Sequence, residues 1–167
     1  MAATDISGTS FTANWEETPY AAEYYLDVYQ LSGEIKTETE GFNNVGTNGK
    51  TLPDGWTGTA SGNYTTAASS GINIPSIAFK NNLEWLQTKQ FPKIIRKLSF
   101  MYRYPSAGTG SYFTVEGQNQ SGWSLIETIP YNASTAKYYP SYTFSPEKGY
   151  TAIKFTYTKV TGNLALD

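Results

Sequence analysis

Three groups of residues have the types and spacing for chemistry, and each has a plainer explanation beside it. The first is a carboxylate pair. If Gln120-Ser121 forms a tight turn, Glu116 falls opposite Leu125 and Glu127 opposite Thr114, so the two glutamates become diagonal neighbours on one face. Two carboxylates at about 5–5.5 Å are what a retaining glycosidase uses. On that register Val115 faces Ile126 on the other side, which reads the glutamates as an outward, solvated pair, and no denser acidic motif accompanies them. The second group is a carbohydrate platform. Sugars lay their apolar faces on Tyr and Trp rings while amides and guanidinium groups hold the hydroxyls. Tyr64, Tyr104 and Trp123 fall in loops, with Arg103, Asn119 and Gln120 as polar neighbours. Against this, Trp123 opens a strand and suits a core equally well, while Trp15 and Trp56 open or close strands and read as core residues. The third group is basic: Lys89, Lys93, Arg96 and Lys97 surround Phe91 and Pro92. Such a cluster can touch phosphate or an acidic glycan; it also reads as a solvated edge whose lysines discourage sheet-to-sheet aggregation.

Absences narrow the chemistry further. The 167 residues include no histidine and no cysteine. A Ser-His-Asp triad, a cysteine nucleophile and a His- or Cys-ligated zinc are therefore excluded, and catalysis would rest on carboxylates, Tyr, Lys or an oxygen-ligated metal. Stability without disulfides must come from sheet packing, in a chain that is intracellular or secreted by a bacterium. The net charge of −2 provides no electrostatic footprint for nucleic acid. Met1 to Asp5 has neither the basic nor the apolar part of a signal peptide, and no run approaches the roughly 18 apolar residues that cross a bilayer. The acceptor patterns at Asn63, Asn119 and Asn132 mean little in a bacterial protein.

These residues must be positioned by strands. Aromatics make up 16% of the chain, 14 of them Tyr, and 15 Gly with 8 Pro punctuate it, which points to an all-β protein. The clearest stretch is a meander from Ile94 to Ile129. Leu98, Phe100, Tyr102 and Tyr104 alternate with Lys97, Ser99, Met101 and Arg103, which predicts one buried and one outward face. Pro105 to Gly110 turns the chain into Tyr112 to Glu116, with Phe113 and Val115 inward; Asn119 to Gly122 then turns it into a run beginning at Trp123. The two connecting loops, Pro105 to Gly110 and Gln118 to Trp123, are the places where function is expected.

Further strands are expected at Thr9 to Trp15, Pro75 to Phe79, Tyr138 to Phe144 and Tyr150 to Thr158, the last with Ile153, Phe155 and Tyr157 inward. Tyr24 to Val28 reads as a strand, with a short helix over Ala21 to Val28 as the competing reading. Glu84 to Lys89 is either a strand or one helical turn. Pro53-Asp54-Gly55 delivers Trp56 from a turn, and Gly58 to Ile74 reads as irregular surface.

Two resemblances follow from these motifs. TDISGTSFTANW followed by AAEYYLDVY resembles the opening of a bacterial fibronectin type III domain, in which a Trp on strand B packs against a Tyr-x-Leu-x-Val strand C; Trp15 and Tyr24, Leu26 and Val28 match. No later segment matches that family's remaining strands or its tyrosine corner. From Glu40 onward the series Glu40-Gly41-Phe42, LPDGW, Ser76 to Phe79, WLQT, KLSF, SYFTVEG and the final GNLALD resembles the choice-of-anchor J or cleaved-adhesin jelly-roll domain, related to MAM and galactose-binding-like sandwiches. That resemblance implies a structural Ca²⁺ with Glu40 and Asp167 as ligands and Asp54 as a weaker one; calcium takes six to eight oxygens, so two carboxylates plus carbonyls suffice.

The expected architecture is an antiparallel jelly-roll β-sandwich over residues 34–167, preceded by a partial fibronectin type III-like segment over 1–33. The jelly-roll is either inserted after strand C of that segment or extended by it as an edge hairpin, and the stop at Asp167 directly after a strand fits an excised fragment with an added Met1. The implied role is non-catalytic: an adhesive or carbohydrate-binding module of a larger secreted or cell-surface bacterial protein, whose partners are a glycan and the other domains of its polypeptide, with no nucleic acid and no membrane insertion. A structural spacer presenting a catalytic domain is the alternative, and a glycoside hydrolase using paired glutamates comes third.

Overall fold

This computed structural model describes residues 4–5, 10–14, 16, 35–42, 52–60, 62–71 and 74–167. The chain divides into two compact units, Met1–Thr37 and Glu38–Asp167. In the first, Thr4 and Thr12 form an isolated antiparallel bridge, each donating its N–H to the other's carbonyl at 2.9 and 2.8 Å. Trp15 and Tyr24 to Val28, which carry the fibronectin-like pattern, lie outside the described residues.

The second unit is an antiparallel β-sandwich. Its strands are β1 (Thr57–Gly58), β2 (Gly62–Tyr64), β3 (Ser76–Phe79), β4 (Glu84–Gln87), β5 (Lys97–Ser99), β6 (Tyr102–Arg103), β7 (Tyr112–Asn119), β8 (Gly122–Pro130), β9 (Lys137–Tyr138), β10 (Ser141–Thr143), β11 (Ala152–Thr158) and β12 (Leu164–Leu166). One sheet has the order β1-β4-β11-β7-β8, the other β2-β3-β12-β6-β9, and β5 and β10 form a separate two-stranded ribbon. Glu84 to Lys89 is thus a strand in its first four residues. Glu84 is buried and fixes the β3–β4 turn, its carboxylate accepting from the Lys80 N–H and the Asn81 amide at 2.5 and 2.6 Å.

Period-two patterning accounts for the inner face of the first sheet. Phe113 and Val115 of β7 and Ile153, Phe155 and Tyr157 of β11 point into the core, where they meet Ile77 and Phe79 of β3 and Leu164 and Leu166 of β12. Aromatic rings fill the space between the sheets edge to face: Phe100 on Phe155, Tyr102 on Phe113 and Tyr104 on Tyr131 all have centroids 5.0 Å apart.

Three expectations are corrected. The run from Lys97 to Tyr104 is two strands in different sheets. β5 pairs with β10, the chain shifts at Phe100 and Met101, and β6 then lies between β12 and β9. Alternation fails there because Met101, Tyr102, Arg103 and Tyr104 are all buried. The outward side of β6 lies under residues 65–71: Arg103 Nη1 donates to the carbonyls of Ala67 and Ser70 at 3.1 and 3.2 Å, and a Cβ on Gly71 would sit 2.1 Å from Met101 Cε. For the same reason Gly58 to Ile74 is not simply irregular surface; it contains β2 and the buried Ser70. Third, Tyr138 to Phe144 is not one strand. Pro140 has no N–H for a ladder, so β9 stops at Tyr138 in one sheet and β10 starts at Ser141 in the ribbon.

Candidate functional site

The residues singled out as a sugar platform are distributed over three places. Tyr64 is on β2, one edge of the second sheet, with Lys80 Nζ 5.6 Å from its ring centroid. Arg103 (8% exposed) and Tyr104 (0%) are interior, so their expected role as exposed ligand contacts is corrected: Arg103 ties residues 67 and 70 to the sheet, and Tyr104 packs against Tyr102, Tyr131 and Tyr157. Asn119, Gln120 and Trp123 sit at the β7–β8 tip. Asn119 is occupied in building the turn, its Oδ1 accepting from the Ser121 N–H at 2.9 Å and its Nδ2 donating to the Lys148 carbonyl at 3.0 Å. Gln120 is exposed. Gly122 completes the turn at φ +108°, a conformation that other residues rarely adopt. Trp123 is half-buried with Lys154 Nζ 4.5 Å from its ring centroid.

The paired glutamates part company through one residue. Gln120-Ser121 is the turn and Glu116 is opposite Leu125, as the sequence suggests, but a β-bulge follows, with Ile126 as the extra residue. Glu127 is therefore opposite Val115, not Thr114. Paired residues share a face, so Glu116 stays on the outer face, where Lys154 Nζ meets its carboxylate at 3.0 Å, while Glu127 turns to the inner side of an edge strand. Two carboxylates on opposite sides of one ribbon cannot flank a glycosidic bond.

Glu40 and Asp167 both belong to the second unit. Glu40 is exposed and its Oε1 accepts from the Phe42 N–H at 2.6 Å; Phe42 packs edge-on to Trp56, just before β1. Asp167 exchanges backbone hydrogen bonds with Met101 at 2.6 and 2.8 Å, and its carboxylate lies beside Gly71. No cluster of three or more metal-ligating side chains occurs among the described residues. The carbonyls of Ala67 and Ser70 accept from the Arg103 guanidinium. Asp54 is an exposed residue of the turn that Trp56 closes through its N–H to the Pro53 carbonyl, 2.9 Å.

A shallow tyrosine-lined groove lies elsewhere. β8 is one edge of the first sheet and β9 one edge of the second. Between them runs an open groove of about 460 Å³, lined by Glu127 to Pro130 on one wall and by Tyr102, Tyr138, Tyr139, Pro140 and Tyr142 on the other. Tyr138 stacks on buried Tyr102 (5.0 Å, 18°), and Tyr142 on Phe100 (6.2 Å, 22°), so both rings are braced from behind. Tyr139 is 61% exposed. Burial, reinforced by Tyr138 and Tyr142, pushes the Tyr102 phenol up to about 12, and burial followed by the Glu127 charge raises that of Tyr142. The Glu127 carboxylate is oriented by the Thr128 N–H, 3.1 Å from its Oε1. Sequence reasoning treated these tyrosines as one plain strand. The available signal was Pro140 inside KYYPSY, which breaks the strand and gathers three tyrosines around the break.

No family model and no curated protein matches the chain. Among solved structures it is similar to the carbohydrate-binding module TmCBM61 in complex with β-1,4-galactotriose, with TM-score 0.52 and 9% identity, covering 68% of this chain and 85% of that chain. It is also similar to the K3 cleaved adhesin domain of Lys-gingipain from Porphyromonas gingivalis w83, with TM-score 0.53 and 15% identity, covering 75% and 92%. At these identities the likeness is one of fold, a β-sandwich. No helix among the described residues is long and apolar enough to cross a membrane.

Proposed function

We propose that this domain is a non-catalytic carbohydrate-binding or adhesive module and that the tyrosine groove between β8 and β9 holds the glycan. The observation that carries the reading is the groove itself: an aromatic ring presented to solvent beside braced tyrosines, with a single oriented carboxylate facing them. A pyranose can stack on Tyr139 while Glu127 accepts from its hydroxyls and the phenols of Tyr138 and Tyr142 donate to others. The fold neighbours support it at a coarse level, one of them having been solved with an oligosaccharide bound. The separation of Glu116 from Glu127 argues against hydrolysis. Membership in a larger secreted or cell-surface protein, alongside other domains of its polypeptide, is part of the same proposal.

A glycan array tests it. The expected result is binding to at least one oligosaccharide class, lost in a Tyr138→Ala, Tyr139→Ala double variant. A clean negative beside a working lectin control favours the structural spacer instead. Calcium held by Glu40 and Asp167, completed by backbone carbonyls, is a separate proposal. A rise in Tm at millimolar calcium that disappears in Glu40→Ala supports it, and an unchanged Tm refutes it.

A further inference from the structure

We infer that Glu127 makes the groove selective for uncharged sugars and excludes glycans bearing carboxylate or sulfate groups. The inference rests on the glycan reading of the groove. Among the described residues that line it, Glu127 is the one charged at neutral pH; the rest are tyrosines, Thr128, Ile129 and two prolines, with no lysine or arginine. The nearby basic residues, Lys97 opposite Thr143 in the ribbon among them, are not part of the lining. Lys137 belongs to β9 but is not part of the lining, Arg103 is committed to the carbonyls of Ala67 and Ser70, and Lys154 faces the outer side of the first sheet, where it meets Glu116.

The bulge at Val115/Glu116 turns residue 127 to the seam, where its Oε1 accepts a solvent-exposed hydrogen bond from the Thr128 N–H. An ionised carboxylate only accepts hydrogen bonds, which suits the adjacent hydroxyls of a neutral sugar. A uronate brought to the same place puts two like charges about 5 Å apart near a protein surface, which weakens binding about tenfold or more. Burial keeps the phenols of Tyr102 and Tyr142 protonated, so they act as hydrogen-bond donors and add no second negative charge.

The test uses β-linked gluco- and galacto-configured trisaccharides, their uronate counterparts and their deacetylated amino-sugar counterparts, titrated calorimetrically into the full chain and into Glu127→Gln. The wild type is expected to bind a neutral trisaccharide at least tenfold more tightly than its uronate, and the amino sugar no more weakly than the neutral one. Glu127→Gln should close the neutral-to-uronate gap to within about threefold, and raising the salt concentration should narrow it in the wild type. Equal wild-type affinity for neutral and uronate forms, or a gap unchanged in Glu127→Gln, overturns the inference while leaving the glycan reading standing. No binding by any of these sugars overturns the inference, and the glycan array then decides whether the glycan reading falls with it.

Discussion

Truncating Tyr139 should weaken glycan binding about tenfold and leave the fold untouched. The side chain keeps 61% of its surface in water, although its neighbour Tyr138 is stacked and half-buried. A tyrosine buries roughly 150–250 Å² when fully packed, so about 100–150 Å² is open to a ligand. A pyranose resting on one face covers about half of that. At roughly 25 cal/mol per Å² the contact is worth about 1.3–1.9 kcal/mol, which is about one decade in Kd. Because Tyr139 supports no other side chain of the core cluster, Tyr139→Ala should change unfolding free energy by no more than about 0.5 kcal/mol. The assay is calorimetric titration with whichever oligosaccharide the wild type binds, paired with a denaturant melt. Unchanged affinity in a stable Tyr139→Ala refutes the stacking argument. Lost affinity accompanied by a lower melting midpoint shows that the ring has a structural part that the packing does not indicate.

Three further outcomes follow from the interior. Tyr104→Phe should be neutral or stabilising by up to about 1 kcal/mol, because the Tyr104 hydroxyl is buried without a partner among the described residues and its removal ends a desolvation cost; a clear loss of stability in a chemical melt contradicts this. Arg103→Met should cost about 2–4 kcal/mol, since the carbonyls of Ala67 and Ser70 lose a charged donor while the apolar stem is kept; a melting curve within 0.5 kcal/mol of wild type, roughly the scatter of neutral surface changes, shows that residues 65–71 are held by other means. Alkaline pH should destabilise the unit. Burial raises the phenol groups of Tyr64, Tyr102, Tyr104, Tyr142 and Tyr157 in the folded state, so their contribution is complete below the ordinary tyrosine value near 10 and is lost as pH rises toward about 12. Phenolate absorbance followed together with circular dichroism should show those tyrosines ionising only as the structure melts; smooth titration of all tyrosines in the folded protein contradicts it.

The parts of this fold legible in the sequence are those set by period-two patterning. Phe113, Val115, Ile153, Phe155 and Tyr157 point inward as their alternation requires, and the Gln120-Ser121 turn is where the loop residues put it. What escaped depends on contacts between distant segments. The burial of Met101 and Arg103 comes from residues 65–71, about thirty or more positions away, and nothing local announces it. The bulge at Ile126 adds a single residue, yet it moves Glu127 from the face shared with Glu116 to the seam. The candidate groove forms where two sheet edges approach, so its walls come from β8 and from the broken segment around Pro140. Loop tips mark the ends of strands, whereas Tyr138, Tyr139 and Tyr142 lie in and beside the short strands on either side of Pro140.

The most direct test of the central claim is a nuclear magnetic resonance titration of the isotopically labelled chain with a neutral oligosaccharide that it binds. The account predicts that the largest shift changes fall on Glu127 to Pro130 and on Tyr138, Tyr139 and Tyr142. Changes concentrated instead at Trp123 and Lys154, or around Tyr64, would place the ligand on another surface and contradict it.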